Sequence, residues 1–175
     1  YSVVSEEETK NGCDIVVADT IRIPPEAVDP TIKNYGRLDF VRALFEAYDK
    51  EARYAVLLDG EGNVTEGRGW NIFALDSGHL ISPDEGVLQG ITRRTVVELA
   101  EKLNIEAKLE KLLVDRMRGA EEIFLTSTAG GIVPVKSIDG KSVGDGNVGP
   151  VTQRLTDMYW ELHEDDAYTT PVEYN

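Results

Sequence analysis

The sequence predicts one α+β domain over residues 1–175, on three observations. Short apolar runs of strand length alternate with stretches in which apolar residues recur at helical spacing. Turn-forming clusters of the hairpin kind separate several strands, which argues against a purely parallel sheet. No repeat, low-complexity tract or long linker divides the chain, and 175 residues suffice to bury one core.

The first strand is Cys13-Asp-Ile-Val-Val-Ala-Asp19. Ile23-Pro24-Pro25 and Asp29-Pro30 then interrupt regular structure, and Lys33 follows directly. From Leu38 the spacing of Leu38, Val41, Leu44, Phe45 and Tyr48 marks one face of an amphipathic helix. Tyr54–Leu58 is a strand, and Asp59-Gly60-Glu61-Gly62-Asn63 is a hairpin turn. The return strand from Val64 to Leu75 is broken by Gly67 and Gly69, and Asp76-Ser77-Gly78 turns into His79-Leu80-Ile81. Leu88-Gln89-Gly90 enters a second helix with Val96, Val97, Leu99, Ala100 and Leu103 as its buried stripe. Glu122–Thr126 is a strand ending in Ser127-Thr128-Ala129-Gly130-Gly131, Ile132–Val135 continues beyond it, and Asp139-Gly140 turns again. A last helix carries Val151, Leu155, Met158 and Leu162 on one face.

Thirty-two acidic against 18 basic residues give a net charge of −14, which disfavours nucleic acid and anionic membrane surfaces as partners. The acidic runs at Ser5-Glu6-Glu7-Glu8 and Glu164-Asp165-Asp166 read as solvated surface. Cys13 is the sole cysteine, so no intrachain disulfide and no cysteine-based metal site is expected, in keeping with a cytoplasmic location. No apolar run approaches membrane-spanning length. His79 and His163 lack metal-ligand spacing, and Tyr35, Trp70, Tyr159 and Trp160 read as packing residues.

Four segments carry reactive groups, each with a plain alternative. Lys33 is one of eight lysines, and a lysine is ordinarily a solvated charge. Its place between a proline-bounded loop and a helix would suit an amine needing a rigid, partly desolvated mount. Glu66 precedes glycines that admit close approach of a ligand, yet a strand glutamate facing water is the simpler reading. Asn71 is either a hydrogen-bonding neighbour or a turn former. Gly90-Ile91-Thr92 opens a helix whose free N–H groups suit a phosphate, unless Thr92 is merely an N-cap. The small-residue turn at 127–131 suits an anion or a tight bend equally well.

Taken in order, Ile32-Lys33-Asn34, Thr65-Glu66-Gly67-x-Gly69-x-Asn71-Ile72, Leu88-Gln89-Gly90-Ile91-Thr92-Arg93 and Ser127-Thr128-Ala129-Gly130-Gly131-Ile132-x-Pro134 resemble the motifs of class IV (fold type IV) aminotransferases. The resemblance runs from about Arg22 to Trp160. Within the family, the Ile23–Asn34 approach and the Thr128–Ile132 turn resemble (R)-selective amine transaminases, whereas branched-chain enzymes more often carry Ala-Glu where this chain has Gly130-Gly131.

The resemblance implies the mixed-sheet, barrel-like large domain of the D-amino acid/branched-chain aminotransferase fold. It implies pyridoxal 5'-phosphate (PLP), held by Lys33 as a Schiff base, with Lys33 also the proton shuttle and Glu66 paired with the pyridine nitrogen. Ile91, Thr92 and Thr128 would take the phosphate, and Thr128-Ala129 would meet the substrate carboxylate or smaller group. The activity implied is ping-pong transamination between an amine or branched-chain amino acid and a keto acid, most like an (R)-selective amine transaminase. A branched-chain or D-amino acid aminotransferase, an aminodeoxychorismate lyase-like enzyme and a non-catalytic domain are the alternatives. A homodimer is implied as well. Relatives place a smaller domain ahead of this region, which supplies an arginine to the phosphate site. A chain starting at Tyr1 is therefore expected to be a cofactor-binding part of a longer enzyme, with weak cofactor binding in isolation. Arg68 stands where relatives carry a small residue and is expected to face solvent or that domain.

Overall fold

In the computed structural model, which describes residues 4–172, one nine-stranded mixed sheet organises the chain. Its strands are β1 (Cys13–Ile21), β2 (Tyr54–Leu58), β3 (Val64–Gly67), β4 (Asn71–Asp76), β5 (His79–Ser82), β6 (Ala107–Leu109), β7 (Glu122–Ser127), β8 (Gly131–Ile138) and β9 (Lys141–Ser142). The helices are α1 (Glu6–Asn11), α2 (Leu38–Asp49), α3 (Ile91–Lys102), α4 (Val114–Arg118) and α5 (Pro150–Glu161), with a closing 3-10 turn at Leu162–Glu164.

The order β3-β2-β1-β8-β7-β4-β5-β6, with β9 on β8, follows from the connections. Tight turns give antiparallel neighbours: Ser77 and Gly78 have φ of 51° and 76° between β4 and β5, and Asp139 and Gly140 have 50° and 74° between β8 and β9. Crossovers through α2 and α3 give the parallel pairs β1–β2 and β5–β6. The two ends of this order then meet. Val64 N–H donates to Leu112 O at 2.7 Å and Val114 N–H to Gly62 O at 3.2 Å, so the chain just after β6 pairs with β3 and the sheet curls toward a barrel.

Alternation along the strands sorts the core into an inside and two outer patches. Ile15, Val56, Ile72, Ile81, Leu125 and Val133 point inward. On the outer face Phe73 stacks on Phe124 (5.1 Å, 15°) beneath α3 and α5. Val16, Ala55 and Leu57 meet Phe40, Ala43 and Ala47 of α2.

That contact sets the orientation of α2. The helix forms where the spacing places it, but its small-residue side packs on β1 and β2. The stripe named from the sequence faces outward, with Leu38 74%, Phe45 60% and Tyr48 55% exposed. Alanines at 43 and 47 allow a close approach to the strands that Phe45 and Tyr48 would prevent. Ile132–Val135 likewise returns antiparallel to β7 instead of prolonging it. The acidic run at 6–8 is a short helix, closed by a capping box between Ser5 and Glu8.

Glu122 fastens α5 to the sheet. Buried on β7, its carboxylate accepts Val151 N–H (3.1 Å), Thr152 N–H (2.7 Å) and the Thr152 hydroxyl (2.7 Å), occupying the N-terminus of that helix. Gly149 leaves it room, since a Cβ there would lie 2.0 Å from Glu122 Cδ. Glu122→Ala, which leaves these donors buried and unpaired, is expected to cost ~3 kcal/mol in urea unfolding. The exposed neighbour Glu121→Ala is expected to cost under about 1 kcal/mol.

Candidate active site

Glu66 stands at the end of β3 with only 3% of its surface exposed. Strand alternation alone would leave one face of β3 open, but all four of its residues are buried. Gly67 helps to seal this end: a Cβ there would lie 2.1 Å from the Trp70 ring, which also packs edge-on against Tyr54 at 6.5 Å. The water-facing reading of Glu66 is thereby overturned.

Both Glu66 oxygens are held. Oε2 accepts Leu88 N–H at 2.9 Å and Asn71 Nδ2 at 3.2 Å. Oε1 lies 3.4 Å from Arg22 Nη2 and 3.6 Å from Arg37 Nη1. Arg22, itself 4% exposed, is clamped by Asp39 at 2.6 Å and lies 4.3 Å above the Phe40 ring. Burial pushes the Glu66 carboxyl above its ordinary value, while the Leu88 N–H and the Arg22 and Arg37 guanidinia pull against that rise.

Asn71 is the hydrogen-bonding neighbour, since the same Nδ2 also donates to Leu88 O at 2.9 Å. It joins the other motifs to Glu66. Gly90 abuts it so closely that a Cβ would fall 2.2 Å from Asn71 Oδ1. In the sheet Asn71 pairs with Thr126, one residue before Ser127 and the turn that carries Thr128 and Ala129. Glu66, the start of α3 and the β7–β8 turn therefore meet at one end of the sheet.

At α3 the N-cap is Gly90, not Thr92, and no side chain caps the helix. Arg94 N–H is the first to close on Gly90 O, so the Ile91, Thr92 and Arg93 amides precede the first helical bond. Ile91 is exposed, Thr92 is buried at the second helical position, and the first turn holds no acidic residue. Arg93 points inward to Ser82 Oγ (3.0 Å) and Pro83 O (2.6 Å), which fixes the helix start against β5. Thr128 and Ala129 are exposed.

Lys33 is exposed in the irregular stretch between β1 and α2. Its neighbours Ile32 and Asn34 are tied through Arg37 to Glu66, so the loop of Lys33 belongs to the same end of the molecule. Beside this network a cavity of about 340 Å³ is lined by Phe40, Tyr54, Arg68, Trp70, Ser127 and Ala129, among others. Arg68 is exposed at its margin, as expected. Trp70 is a packing residue, whereas Tyr35 is fully exposed and packs on nothing here. Among the described residues no group of three or more His, Cys, Asp or Glu is placed to hold a metal ion, and no helix is long and apolar enough to cross a membrane.

The family Amino-transferase class IV matches residues 3–138. The chain belongs to the class IV aminotransferase family. It is similar to the putative branched-chain-amino-acid aminotransferase of Methanocaldococcus jannaschii, at 34% identity over 87% of this chain and 54% of that protein. A probable branched-chain-amino-acid aminotransferase of Aquifex aeolicus is 40% identical over 74% of this chain and 43% of its own length. Among solved structures, the Escherichia coli branched-chain amino acid aminotransferase superposes with a TM-score of 0.87 at 33% identity, covering 90% of this chain and 53% of that one. The holo-form of the Thermobaculum terrenum enzyme gives 0.88 at 33% identity, covering 95% and 56%. The barrel-like aminotransferase fold is thus the fold of this chain, which spans about half the length of these class IV relatives.

Nothing in the sequence marks Arg22, Arg37 and Asp39 as site residues. An arginine at a strand end and two charges around a helix start carry no periodic signal; only the fold buries them around one carboxylate. The same burial sets a pH dependence. The native Glu66 carboxyl keeps its proton to higher pH than the unfolded one, so its contribution to stability is complete below the ordinary value of 4.5 and is lost as pH rises through the raised native value. In urea melts of the cofactor-free protein, wild type is expected to lose stability relative to Glu66→Gln as pH rises from 4.5 toward neutrality. A difference that grows in favour of wild type would mean that the guanidinia outweigh burial.

Proposed function

We propose that this chain forms the cofactor-holding part of a PLP-dependent transaminase that exchanges an amino group between an amine or branched-chain amino acid and a keto acid by a ping-pong mechanism. The observation that carries this reading is Glu66, a buried carboxylate bonded by Asn71 of its own motif and the Leu88 amide of the next, and paired with Arg37 beside the Lys33 motif. A buried carboxylate is costly to maintain for stability alone, and a protonatable ring nitrogen is a partner it can serve.

The residues present fit the cofactor. Gly90 lets α3 begin flush against Asn71, beside Glu66, and the uncapped first turn of α3 leaves N–H groups and the positive end of the helix dipole for a phosphate. At α5 the equivalent place is filled from within by Glu122. With the cofactor bound, Lys33 would supply the amine for covalent attachment, Glu66 would hold a proton on the ring nitrogen, and Ile91, Thr92 and Thr128 would take the phosphate. The Thr128-Ala129 backbone receives the substrate carboxylate or smaller group. When bound, the cofactor supplies the electron sink for the substrate carbanion. Lys33, as the free amine, would move the proton at the reacting carbon.

The similarity to branched-chain-amino-acid aminotransferases favours a branched-chain amino acid as donor. A second reading, an (R)-selective amine transaminase, is favoured by the turn after β7. Gly131 has φ +63° and a Cβ there would lie 2.9 Å from the Trp160 ring, so the Gly130-Gly131 pair is built into this site. The exposed apolar side of α2 supports a homodimer, and the single buried cysteine suits the cytoplasm.

Borohydride reduction of the full-length protein with PLP, followed by peptide mass mapping, is expected to place the phosphopyridoxyl group on Lys33 and to fail in Lys33→Ala. Modification of another lysine in wild type would defeat the proposal. With a 2-oxo acid acceptor, faster turnover of L-leucine than of (R)-1-phenylethylamine supports the branched-chain reading, and the reverse supports the second.

A further inference from the structure

Lys33 sits in a segment, residues 22–37, that belongs to no strand or helix. The hydrogen bonds within the segment are short-range. Ala27 and Val28 N–H donate to Pro24 O, Ile32 N–H donates to Asp29 O at 3.4 Å, and Asn34 closes on Ile32 O and Gly36 N. Such a loop does not by itself fix where an amine stands.

Arg37 supplies what the loop lacks. Its Nη2 donates to Ile32 O at 3.2 Å and its Nε to Asn34 O at 3.2 Å, so one guanidinium spans the two carbonyls that flank Lys33. The remaining Nη1 is 3.6 Å from Glu66 Oε1. The side chain is 20% exposed, and its guanidinium lies 5.4 Å from the Phe40 ring centre, against the same ring that Arg22 covers. The planar fork meets three oxygens at once, which a lysine ammonium on a flexible stem does not reproduce.

We infer that Arg37 is a positioning residue: it tethers the loop on both sides of Lys33 to Glu66 and so sets the span between the amine and the carboxylate. The inference rests on the transaminase reading, in which those two groups act on opposite parts of one cofactor ring. A misplacement of about 1 Å in such a pair can cost on the order of 100-fold in rate.

The test compares wild type, Arg37→Met and Arg37→Lys in the full-length protein. Without cofactor, hydrogen exchange at the Ile32 and Gly36 amides, which donate to Asp29 O and Asn34 Oδ1, is expected to be at least about tenfold faster in Arg37→Met, with β3 unchanged. With cofactor at matched occupancy, borohydride trapping at Lys33 is expected to fall about tenfold or more. Binding of pyridoxamine 5'-phosphate, which needs no lysine linkage, is expected to change less than about threefold, because its phosphate contacts are untouched. Arg37→Lys, which keeps the charge without the fork, is expected to resemble Arg37→Met. Unchanged exchange and trapping in Arg37→Met, or full recovery in Arg37→Lys, would overturn the inference. If wild type itself is not trapped at Lys33, the transaminase reading falls, and the exchange measurement, which needs no cofactor, still decides the tether.

Discussion

A carboxylate taken out of water has to be met by donors, and the donors around Glu66 come from segments far apart in the chain. Arg22 follows β1, Arg37 precedes α2, Asn71 begins β4 and the Leu88 amide precedes α3. Each ligand of this one group fixes an element. Burial pushes the carboxyl upward, against the pull of these donors.

The barrel makes the arrangement possible. Closing the sheet through Leu112 and Val114 buries β3 on both sides, and a strand buried on both sides can hold a carboxylate away from solvent. Glycine is then required where backbone and side chain come into contact. Gly67 admits the Trp70 ring, and Gly90 admits Asn71. The second contact sets the start of α3 beside Glu66, so a helix N-terminus suited to phosphate and a carboxylate suited to a pyridine nitrogen lie at one end of the sheet.

Much of this was legible in the order of residues. The period-2 and period-3.6 runs located β1, α3, β7 and α5, and the Asp-Ser-Gly and Asp-Gly turns located two hairpins, because those signals are local. Burial was less legible. The stripe from Leu38 to Tyr48 marks an apolar face but not which face meets the sheet, and alanines 43 and 47 decided that. Glu66 read as water-facing because nothing in Val64-Thr65-Glu66-Gly67 announces that the barrel closes over it. The four motifs, taken together as a family pattern, singled out Glu66 where its own neighbourhood did not. Arg37 lay beyond either approach, since its role depends on three oxygens brought together only by the fold.

In the proposed reading Glu66 would hold a proton on the ring nitrogen of the cofactor. The direct measurement is the 15N resonance of ring-labelled PLP bound to the full-length protein, wild type against Glu66→Gln. The account predicts a pyridinium resonance in wild type that moves to the neutral-pyridine position in Glu66→Gln at the same pH. An identical resonance in both proteins would contradict it.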